Sequence, residues 1–508
     1  MISAHSIDAV RRAERAAMEH VPAGALMQRA AAALAVMVAD RLRDLTGGLY
    51  GRHVALLIGP GSNGGDALWA GARLAQRGVV VRAVLTSPST HAEGLAALRA
   101  SGGLVTDVSG AIGDHPGADT QHHLDRARAT LTGADVVVDG LLGIGGRAGL
   151  RRPAADLVAA LDPDSHTIAV DLPSGVDPDT GAVDGPHVVA DLTVTFGTVK
   201  PCLLLPPANS AAGEVVLVDI GLDPAVLGAP EVTRLEPGDV ALRWPVPTVV
   251  DDKYSRGVLG VVAGGRTYTG AAVLCSGAAV RAGAGMVRYV GPEHPTELVR
   301  AAWPEVVPGS GRVQAWALGS GVDPDDREQA TAVRDALSDG VPSVLDAGAL
   351  DLLEPEKPGG SPADHLLTPH AGELARLLSR LTGRAVERHD VEARPLEHAR
   401  VAAERTGATV LLKGGTALLV APDGRVRAQP DGPHWLATAG SGDVLAGLAG
   451  TLLAAGLDAF EAGSLAVVVH ARAGALASSG GPVSAGTVLD AVPAAVAGLL
   501  TDTAGADS

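Results

Sequence analysis

The sequence predicts an α/β fold built as two successive domains. The chain has 508 residues, which is too long for one ordinary hydrophobic core. Its residues are 46% hydrophobic but only 2% aromatic, a balance that suits helices packed on Val-rich parallel strands. Short Val- and Ile-rich runs also alternate with helical patterns in both halves of the chain, which is typical of βαβ units.

The first half contains five short apolar runs that predict buried strands. Between the first two lies "GDALWAGARLAQRG" (65–78), which has apolar positions at helical spacing and ends at a glycine. The alternation therefore predicts a parallel sheet. The predicted strands are 53–59, 79–86, 134–143, 166–175 and 191–197.

A proline-rich segment separates the two halves. Residues 222–250 contain five prolines and several acidic turns, which predict a linker and an entry segment. The strand pattern then resumes, so a second α/β domain is expected. Its predicted strands are 258–265, 285–291, 315–321, 341–348, 364–370 and 409–415.

Charge and composition exclude several classes of partner. A formal charge of −17 disfavours nucleic acids and anionic membranes. Cys202 and Cys275 are too few for a disulfide framework or a Cys-rich zinc site. The first 20 residues lack the apolar segment of a secretory signal, and the apolar run 30–39 is too short to span a bilayer. We therefore expect a cytoplasmic protein that acts on small molecules.

The glycine run "GPGSNG" (59–64) follows a predicted strand and opens a predicted helix. Glycines let a phosphate approach the backbone closely, and a helix N-terminus offers free N–H groups. An ordinary NAD site also needs an acid at the end of the second strand, which ends here in "VRAVLTSPST". The dehydrogenase interpretation is therefore disfavoured, whereas a plain tight turn stays open.

Acidic residues follow two further strands of the first half, each beside a glycine-rich turn. Asp139 and Asp171 occupy these positions, and Asn63 and Ser174 are expected at the same sheet edge. Such oxygen ligands suit an alkali or alkaline-earth cation better than zinc. Taken singly, an Asp at such a position is more often a turn or helix-cap residue than a ligand, and the hypothesis depends on the combination.

A second glycine run, "ATAGSGDVLAG" (437–447), lies late in the chain and continues as an apolar helix. Gly440, Ser441 and Gly442 would offer N–H groups to a phosphoryl group at that helix N-terminus. Asp443 would then accept a proton from an attacking hydroxyl. No P-loop motif is present, and in isolation the run could be a simple helix cap.

Four segments of the first half together resemble the NAD(P)H-hydrate epimerase domain, over nearly all of residues 1–225. They are "GPGSNGGDALWAGARLAQRG", "VVVDGLLGIG", "AVDLPSGVDPDTG" and "ADLTVTFGTVKPCLL". The resemblance implies a Rossmann-like three-layer domain that interconverts the R and S forms of hydrated NADH or NADPH and holds K⁺. The implied potassium ligands are Asn63, Asp139 and Ser174. The implied hydrate-binding residues are Ser62, Asn63, Gly64, Gly65, Asp66, Gly143, Ile144, Gly145, Gly146, Arg147, Ala148, Gly149 and Asp171. We predict Asp171 as the catalytic carboxylate, because epimerisation at the hydrated carbon needs acid–base help.

The second half resembles the NAD(P)H-hydrate dehydratases of the ribokinase-like superfamily. The segments are "RTYTGAAVLCSGAAVRAGAGMV", "LLTPHAGELARLL", "VLLKGGTALLV" and "HWLATAGSGDVLAGLAG". The resemblance implies a ribokinase-like α/β domain over 246–505, after a linker at 226–245. It further implies that the domain uses ADP and Mg²⁺ to dehydrate the S-hydrate, with Asp443 as catalytic base and Glu373 near the magnesium. The implied hydrate contacts are Ala272, Gly321, His370 and Asp443, and the implied nucleotide contacts are Lys413, Gly414, Gly415, Thr416, Ala417 and Gly442.

The sequence departs from both family patterns at four positions, Ser62, Ala67, Tyr254 and Gly348. These departures concern the substrate contacts. Two other interpretations of the function also stay open. One is a vitamin or sugar kinase fused to a nucleotide-sensing domain, and the other is a non-catalytic nucleotide-binding scaffold. Because both domain types often associate, we also expect a homo-oligomer.

Overall fold

The computed structural model describes residues 1–110, 118–353, 364–430 and 432–501. Two compact units make up the chain: Ser3–Val232, the N-terminal unit, and Met1–Ile2 with Thr233–Ser508, the C-terminal unit. The predicted linker 226–245 contains short helices and a strand, and the domain boundaries stay a prediction. None of the described helices combines the length and apolarity needed to cross a bilayer.

Strands and helices alternate through the N-terminal unit. The strands up to its end are β1 (Ile2–Ala4), β2 (His53–Ile58), β3 (Val80–Leu85), β4 (Leu104–Asp107), β5 (Val136–Gly140), β6 (His166–Val170), β7 (Leu192–Phe196), β8 (Glu214–Val218) and β9 (Val232–Arg234). The helices are α1 (Ile7–Met18), α2 (Ala25–Thr46), α3 (Ser62–Ala75), α4 (Ala92–Ala100), α5 (Ala118–Thr132), α6 (Ala154–Val158) and α7 (Pro224–Leu227), with 3-10 turns at Pro201–Leu203 and Ala208–Ala211.

The N-terminal sheet is parallel throughout, with seven strands in the order β4-β3-β2-β5-β6-β7-β8. Its central strands are buried on both faces. Along β2, Leu56 and Ile58 enter one apolar core, whereas Ala55 and Leu57 enter the other, because side chains alternate along a strand. This arrangement confirms the predicted three-layer α/β domain.

The predicted strand runs are longer than the strands themselves. β6 ends at Val170, so the rest of run 166–175 is a loop, and β5 ends at Gly140 inside run 134–143. At Asp171 the backbone adopts φ 69°, which ends the extended conformation. Asp171 and Ser174 therefore lie in the loop at the carboxyl edge of the sheet, whereas Asp139 lies within the last two residues of β5.

The C-terminal unit again alternates strands and helices. Its further strands are β10 (Val258–Val262), β11 (Met286–Tyr289), β12 (Val307–Pro308), β13 (Ala315–Leu318), β14 (Ser343–Leu345), β15 (Leu366–Leu367), β16 (Thr409–Leu412), β17 (Thr416–Val420) and β18 (Val426–Pro430). Its helices are α8 (Pro237–Arg243), α9 (Thr269–Arg281), α10 (Glu293–Ala302), α11 (Arg327–Ser338), α12 (Gly348–Leu352), α13 (Ala371–Thr382), α14 (Arg388–Ala393), α15 (Pro395–Thr406), α16 (Ser441–Ala454), α17 (Ala459–Ser478) and α18 (Ala485–Thr501), with a 3-10 turn at His434–Leu436.

The strands β10 to β18 lie in one mixed sheet, in the order β18-β17-β16-β15-β14-β13-β10-β11-β12. The strands from β16 to β12 in this order pair in parallel. In contrast, β16–β17 and β17–β18 are antiparallel, which the sequence pattern did not predict. Only three residues join β16 to β17, and a connection that short forms a hairpin rather than a crossover.

The helix α16 crosses the core of this unit and is buried along nearly its whole length. Gly447 explains how it fits, because a Cβ there would lie 2.3 Å from the carbonyl oxygen of Cys275 in α9. Glycine thus lets the two helices pack backbone to backbone. The packing holds the N-terminus of α16 at a defined place beside the strand ends.

Candidate functional sites

A cavity of about 600 Å³ opens in the N-terminal unit at the carboxyl ends of its central strands. Loops after β2, β5 and β6 form much of its wall, which is where parallel α/β sheets commonly bind ligands. Residues of α1 and α2 complete it. The lining includes Glu14, Met27, Pro60, Gly61, Ser62, Asn63, Asp66, Leu142, Gly143, Ile144, Gly145, Gly146, Asp171, Phe196 and Lys200.

The predicted glycine run forms the entry to α3. Gly61 precedes the helix with φ 81°, a left-handed conformation that favours glycine. A Cβ on Gly65 would lie 2.9 Å from Cε of Met27, so glycine lets α2 approach the first turn of α3. Ser62, Asn63 and this turn's unpaired N–H groups therefore lie beside the cavity.

Asp171 follows β6 and forms a buried ion pair with Lys200. The Lys200 ammonium also donates hydrogen bonds to Oγ1 of Thr195 at 3.1 Å and to the carbonyl of Phe196 at 2.8 Å. The Lys200 side chain is only 1% exposed. These contacts and the left-handed backbone of Asp171 hold one carboxylate firmly at the cavity wall.

Two further carboxyl groups, Asp66 and Glu14, line the same cavity. Burial raises the pKa of Asp66 well above its ordinary value, and the nearby charges of Asp171 and Glu14 raise it further. Burial also raises the pKa of Glu14, although Lys200 opposes the shift. The cavity thus combines one ion-paired carboxylate with two carboxyl groups that favour protonation more than exposed ones do.

Asp139 and Ser174 form a fully buried pair. The Ser174 hydroxyl donates to Oδ1 of Asp139 at 2.7 Å, and the Ser174 backbone N–H donates to Oδ2 at 2.8 Å. Burial raises the pKa of Asp139 to about 6, even though these hydrogen bonds lower it. Its partners in the described part of the chain are neutral donors, the third being the N–H of Leu141. A buried carboxylate with such partners suits a bound cation.

Asn63 packs on the loop that follows β5. Its Oδ1 lies 2.9 Å from where a Cβ on Gly143 would be, and its buried Nδ2 has no hydrogen-bond partner among the described residues. In the loop 143–149, the first four residues line the cavity. Arg147, Ala148 and Gly149 lie outside that lining, and the backbone N–H of Gly149 donates to the carbonyl of Gly175.

In the C-terminal unit, α16 begins at Ser441, directly after Gly440 with φ 89°. A Cβ on Gly440 would lie 2.6 Å from Cδ1 of Leu274, so an added side chain would require Leu274 to shift, and the left-handed backbone itself favours glycine. Among the described residues no side chain caps this helix. The backbone N–H of Ser441 donates to the carbonyl of Thr438 at 3.3 Å, so the N–H groups of Gly442 and Asp443 are the ones left to bind an anion. The predicted glycine-run-to-helix arrangement is therefore present.

Asp443 lies in the first turn of α16. Burial raises its pKa to about 7, the charge of Asp346 adds to the shift, and Lys413 and the nearby Ser320 hydroxyl oppose it. A carboxyl group with such a pKa can accept a proton near neutral pH. Next to it, a Cβ on Gly442 would lie 3.5 Å from Nζ of Lys413, so the ammonium group faces this helix N-terminus.

Polar residues that follow β13 to β16 meet around Asp346. Lys413 Nζ donates to Oδ1 of Asp346 at 2.7 Å, and the Thr368 hydroxyl donates to the same oxygen at 2.9 Å. The Ser320 hydroxyl donates to Oδ2, also at 2.9 Å. Because parallel strands end at the same sheet edge, four strand ends build one charged cluster.

His370 caps α13 and lies beside this cluster. Its ring Nδ1 accepts a hydrogen bond from the backbone N–H of Gly372 at 3.0 Å. The backbone N–H of His370 in turn donates to the carboxylate of Glu373 at 2.8 Å. The His370 side chain is 54% exposed, and its partial burial lowers the pKa of the ring. Glu373 also lies 3.7 Å from Nζ of Lys413, so it joins the helix cap to the cluster.

The remaining predicted residues lie on neighbouring loops. Ala272 is fully buried in α9, with its Cβ 2.8 Å from where a Cβ on Gly264 would be, and Gly321 lies against the start of that helix. Gly414 and Gly415 form the exposed turn after Lys413. Thr416 is partly buried, and Ala417 is buried at the start of β17.

Two protein-family models match separate parts of the chain. Residues 23–202 match the YjeF-related protein N-terminus, and residues 259–490 match NAD(P)H-hydrate dehydratase. The first range includes Asp171 and most of its cavity, and the second includes Asp443 and the cluster around Asp346.

The chain also matches relatives over nearly their full length. It is 45% identical over 468 residues to the bifunctional NAD(P)H-hydrate repair enzyme Nnr of Mycobacterium tuberculosis, covering 90% of each chain. To the enzyme of the same name from Mycobacterium leprae it is 43% identical over 485 residues, covering 94% of each chain. The chain belongs to the family of bifunctional NAD(P)H-hydrate repair enzymes.

As a bifunctional NAD(P)H-hydrate repair enzyme, the chain joins an epimerase half to a dehydratase half. Both predicted family resemblances are thereby confirmed, and the kinase and scaffold interpretations lose their support. Among solved structures, the ADP/ATP-dependent NAD(P)H-hydrate dehydratase of Bacillus subtilis, co-crystallised with ATP and Mg²⁺, is 25% identical. That match covers 53% of this chain and 99% of the other, with a TM-score of 0.48.

Several residues at the two sites of this repair enzyme were not predicted from the sequence. Lys200 and Glu14 line the epimerase cavity, and Asp346, Ser320 and Thr368 build the dehydratase cluster. The last three share a signal that would have found them, since each stands within two residues of a strand's carboxyl end. Glu14 carried no such signal, because it lies in a surface-patterned helix far away in sequence.

Proposed function

We propose that the cavity at Asp171 epimerises hydrated NADH and NADPH, and that the cluster at Asp443 dehydrates the S form with a nucleotide as phosphoryl donor. One observation carries the second assignment: a carboxyl group with a pKa of about 7 lies in the first turn of α16, where the Lys413 ammonium faces the helix N-terminus. A base and an anion site so close together suit attack of a hydroxyl on phosphorus.

In the proposed dehydration, Asp443 takes the proton of the ring hydroxyl. The hydroxyl oxygen then attacks the terminal phosphorus of the nucleotide. The α16 N–H groups and Lys413 hold the phosphoryl oxygens and their developing charge. Phosphate is a better leaving group than hydroxide, so its elimination restores the carbon–carbon double bond. With ADP as donor, as the family resemblance implies, the products are AMP, phosphate and NADH or NADPH.

We further assign the ligand contacts of the dehydratase half. Lys413 and the turn after it, through Ala417, would hold the nucleotide together with Gly442. The support is that Gly414 and Gly415 are exposed and carry no side chain, so a phosphate or ribose can approach their backbone. The hydrate would lie against Ala272, Gly321, His370 and Asp443.

Magnesium would supply positive charge to the nucleotide phosphates. The described residues include no group of three or more His, Cys, Asp or Glu side chains that could hold a metal alone. Magnesium bound to phosphates usually takes only one or two carboxylates from the protein. Glu373, which like Asp346 lies near the Lys413 ammonium, fits that limited role, so we propose Mg²⁺ as a partner of the bound nucleotide.

For the epimerase half, we propose Asp171 as the proton-transfer carboxylate and Lys200 as the residue that positions it. The hydrate would bind the first turn of α3, from Ser62 to Asp66, and the loop from Gly143 to Gly149. The support is that Asp171, the α3 turn and the first part of this loop line one cavity.

We propose that K⁺ binds at Asn63, Asp139 and Ser174. The support is the buried Asp139 carboxylate, whose described partners are neutral hydrogen-bond donors. Amide, hydroxyl and carboxylate oxygens are ligands that hard cations prefer. Potassium should therefore raise the melting temperature of the N-terminal unit, and Asp139→Asn should abolish that rise.

The test uses the full chain and a mixture of R- and S-hydrates, with absorbance near the reduced-nicotinamide band as readout. With ADP, the wild-type protein should convert both epimers, because epimerisation feeds the S form. Asp443→Asn should abolish the recovery of NADH and NADPH but leave the exchange between R- and S-hydrates intact. Asp171→Asn should instead stop recovery after the S form is consumed.

Each assignment can fail separately. Dehydration that persists in Asp443→Asn would refute the base, and full recovery in Asp171→Asn would refute the epimerase site. Recovery with ATP but not with ADP would overturn the proposed donor.

Because reduced dinucleotides are held inside cells, we also propose a cytoplasmic location. Measuring the size of the protein in solution would test the predicted homo-oligomer.

A further inference from the structure

Inverting the hydrated carbon requires more than one proton transfer. The hydroxyl stands on the carbon next to the ring nitrogen, so it can leave with its bonding electrons while the nitrogen lone pair forms a C=N bond. Water must then add to the opposite face of that carbon. Departure needs a proton on the leaving oxygen, and addition needs a proton taken from the water. A single carboxyl group on one side of the ring serves only one of these steps.

The epimerase cavity holds a second carboxyl group on a different structural element. Glu14 lies on α1, whereas Asp171 follows β6, and both line the cavity together with Lys200. Glu14 has no hydrogen-bond or ion-pair partner of its own within the described ranges, since Lys200 pairs with Asp171 instead. A partly buried acid at a cavity wall without a structural partner is available to a ligand.

The surroundings of the two carboxyl groups suit opposite roles. Asp171 forms an ion pair with the buried Lys200 ammonium, whereas Glu14 has no such partner among the described residues. Burial and the charge of Asp171 raise the pKa of Glu14, whereas Lys200, Arg11 and Arg15 lower it. Environments that separate the proton affinities of two neighbouring acids commonly distinguish a catalytic acid from a base.

We propose that Glu14 is the second catalytic acid–base residue of the epimerase half, a step that rests on the proposed epimerase site at Asp171. Protonated Glu14 gives its proton to the ring hydroxyl, the C–O bond breaks and water leaves. The ring nitrogen lone pair forms the C=N bond. Water then attacks the opposite face, a new C–O bond forms as the C=N electrons return to nitrogen, and Asp171 takes the released proton. The reverse direction exchanges the two roles.

Asp66 is the other acid in the cavity, but it fits this role less well. It lies on α3 inside the glycine run, and its Oδ1 is buried without a partner among the described residues. Only 8% of the residue is exposed, the same fraction as for Asp171, whereas Glu14 is partly exposed and so gives a ligand a second accessible carboxyl group. Asp66 therefore serves as the comparison for Glu14.

The experiment measures R-to-S conversion by the full chain without nucleotide, by NMR of isolated hydrates. Glu14→Gln should lower kcat about 100-fold or more, as loss of a general acid does. Its pH profile should also lose the alkaline limb that reports deprotonation of the acid. Glu19→Gln, an exposed glutamate at the end of the same helix, should behave as wild type. In ¹⁸O-labelled water, wild-type inversion should introduce one labelled oxygen per turnover.

Conservative variants and stability measurements separate chemistry from folding. Glu14→Asp should recover part of the lost rate, and calorimetry should show an unchanged N-terminal transition for both Glu14 variants. If Glu14→Gln keeps its rate, changes only KM, or loses rate only by unfolding, the proposal is wrong. A loss in Asp66→Asn alone, or inversion without label, would also overturn it. If Asp171→Asn stays active too, the proposed epimerase site fails as well.

Discussion

The ammonium group of Lys413 donates a 2.7 Å hydrogen bond to Oδ1 of Asp346, a residue 67 positions earlier in the chain. The two residues follow β16 and β14, strands separated in the sheet by β15 alone. Asp346 thereby holds the cation beside Gly442 at the N-terminus of α16, and its charge raises the pKa of Asp443. One ion pair thus affects both the anion site and the proposed base.

The dehydration rate should depend on pH through Asp443. The base acts only when ionised, so kcat for the S-hydrate should fall as pH drops below about 7. Asp346→Asn removes a negative charge that raises the pKa of Asp443, so the acid limb should move to lower pH. Rate profiles between pH 5 and 9 measure this, and the exposed Asp335→Asn is the control. An unmoved limb in Asp346→Asn would contradict the proposed coupling.

Removing the cation should weaken nucleotide binding. Lys413→Gln should raise KM for the nucleotide by about tenfold or more, because a charge-assisted contact to phosphate is lost. It should also lower the unfolding free energy by about 3 kcal/mol, because the Asp346 charge stays buried without its partner. Steady-state kinetics and denaturant unfolding measure both effects. The exposed Lys253→Gln should change neither the KM nor the unfolding free energy. An unchanged KM in Lys413→Gln would contradict the proposed contact between Lys413 and phosphate.

The turn before α16 should tolerate no side chain at Gly440. Gly440→Ala would combine a left-handed backbone with a Cβ 2.6 Å from Leu274, so we expect a loss of about 2–4 kcal/mol in stability and lower dehydration kcat. Gly456→Ala is the matched control, since Gly456 has φ 94° with open space around it. It should lose only about 1–2 kcal/mol and keep its kcat. Equal effects in the two variants would show that the close packing at Gly440 is unimportant.

Asp139 should make the N-terminal unit less stable as pH rises, when no cation is bound. Its pKa is about 6 in the folded protein and ordinarily 3.8, so its favourable contribution is complete below about pH 4 and is lost by about pH 6. The loss amounts to roughly 3 kcal/mol. Calorimetry across this range should show the slope in wild type and a flatter dependence in Asp139→Asn. Potassium at pH 7 should restore stability to wild type only, and a restoration in both proteins would place the cation elsewhere.

Individual strands show which features of the fold the local sequence pattern can predict. The runs around β2, β5 and β7 predict buried parallel strands correctly, because a strand covered on both faces requires continuous apolar residues. The same reasoning missed the antiparallel pair β16–β17, since strand direction depends on the three-residue turn after Leu412. It also extended β15 to the run 364–370, although the residues around Leu366 and Leu367 in that run are polar residues and a proline and lie outside the strand.

The sequence alone determined the two α/β domains, the family of each half and the glycine runs that lead into α3 and α16. Backbone conformation, apolar periodicity and motif spacing are local properties, and neighbouring residues encode them. Only the tertiary structure decided that Glu14 meets Asp171 and Lys200 at one cavity, and that Asp346 meets Lys413. Those contacts depend on the order of strands in each sheet and on which helix lines the cavity. Burial and charge at these points then determine which carboxyl groups hold a proton.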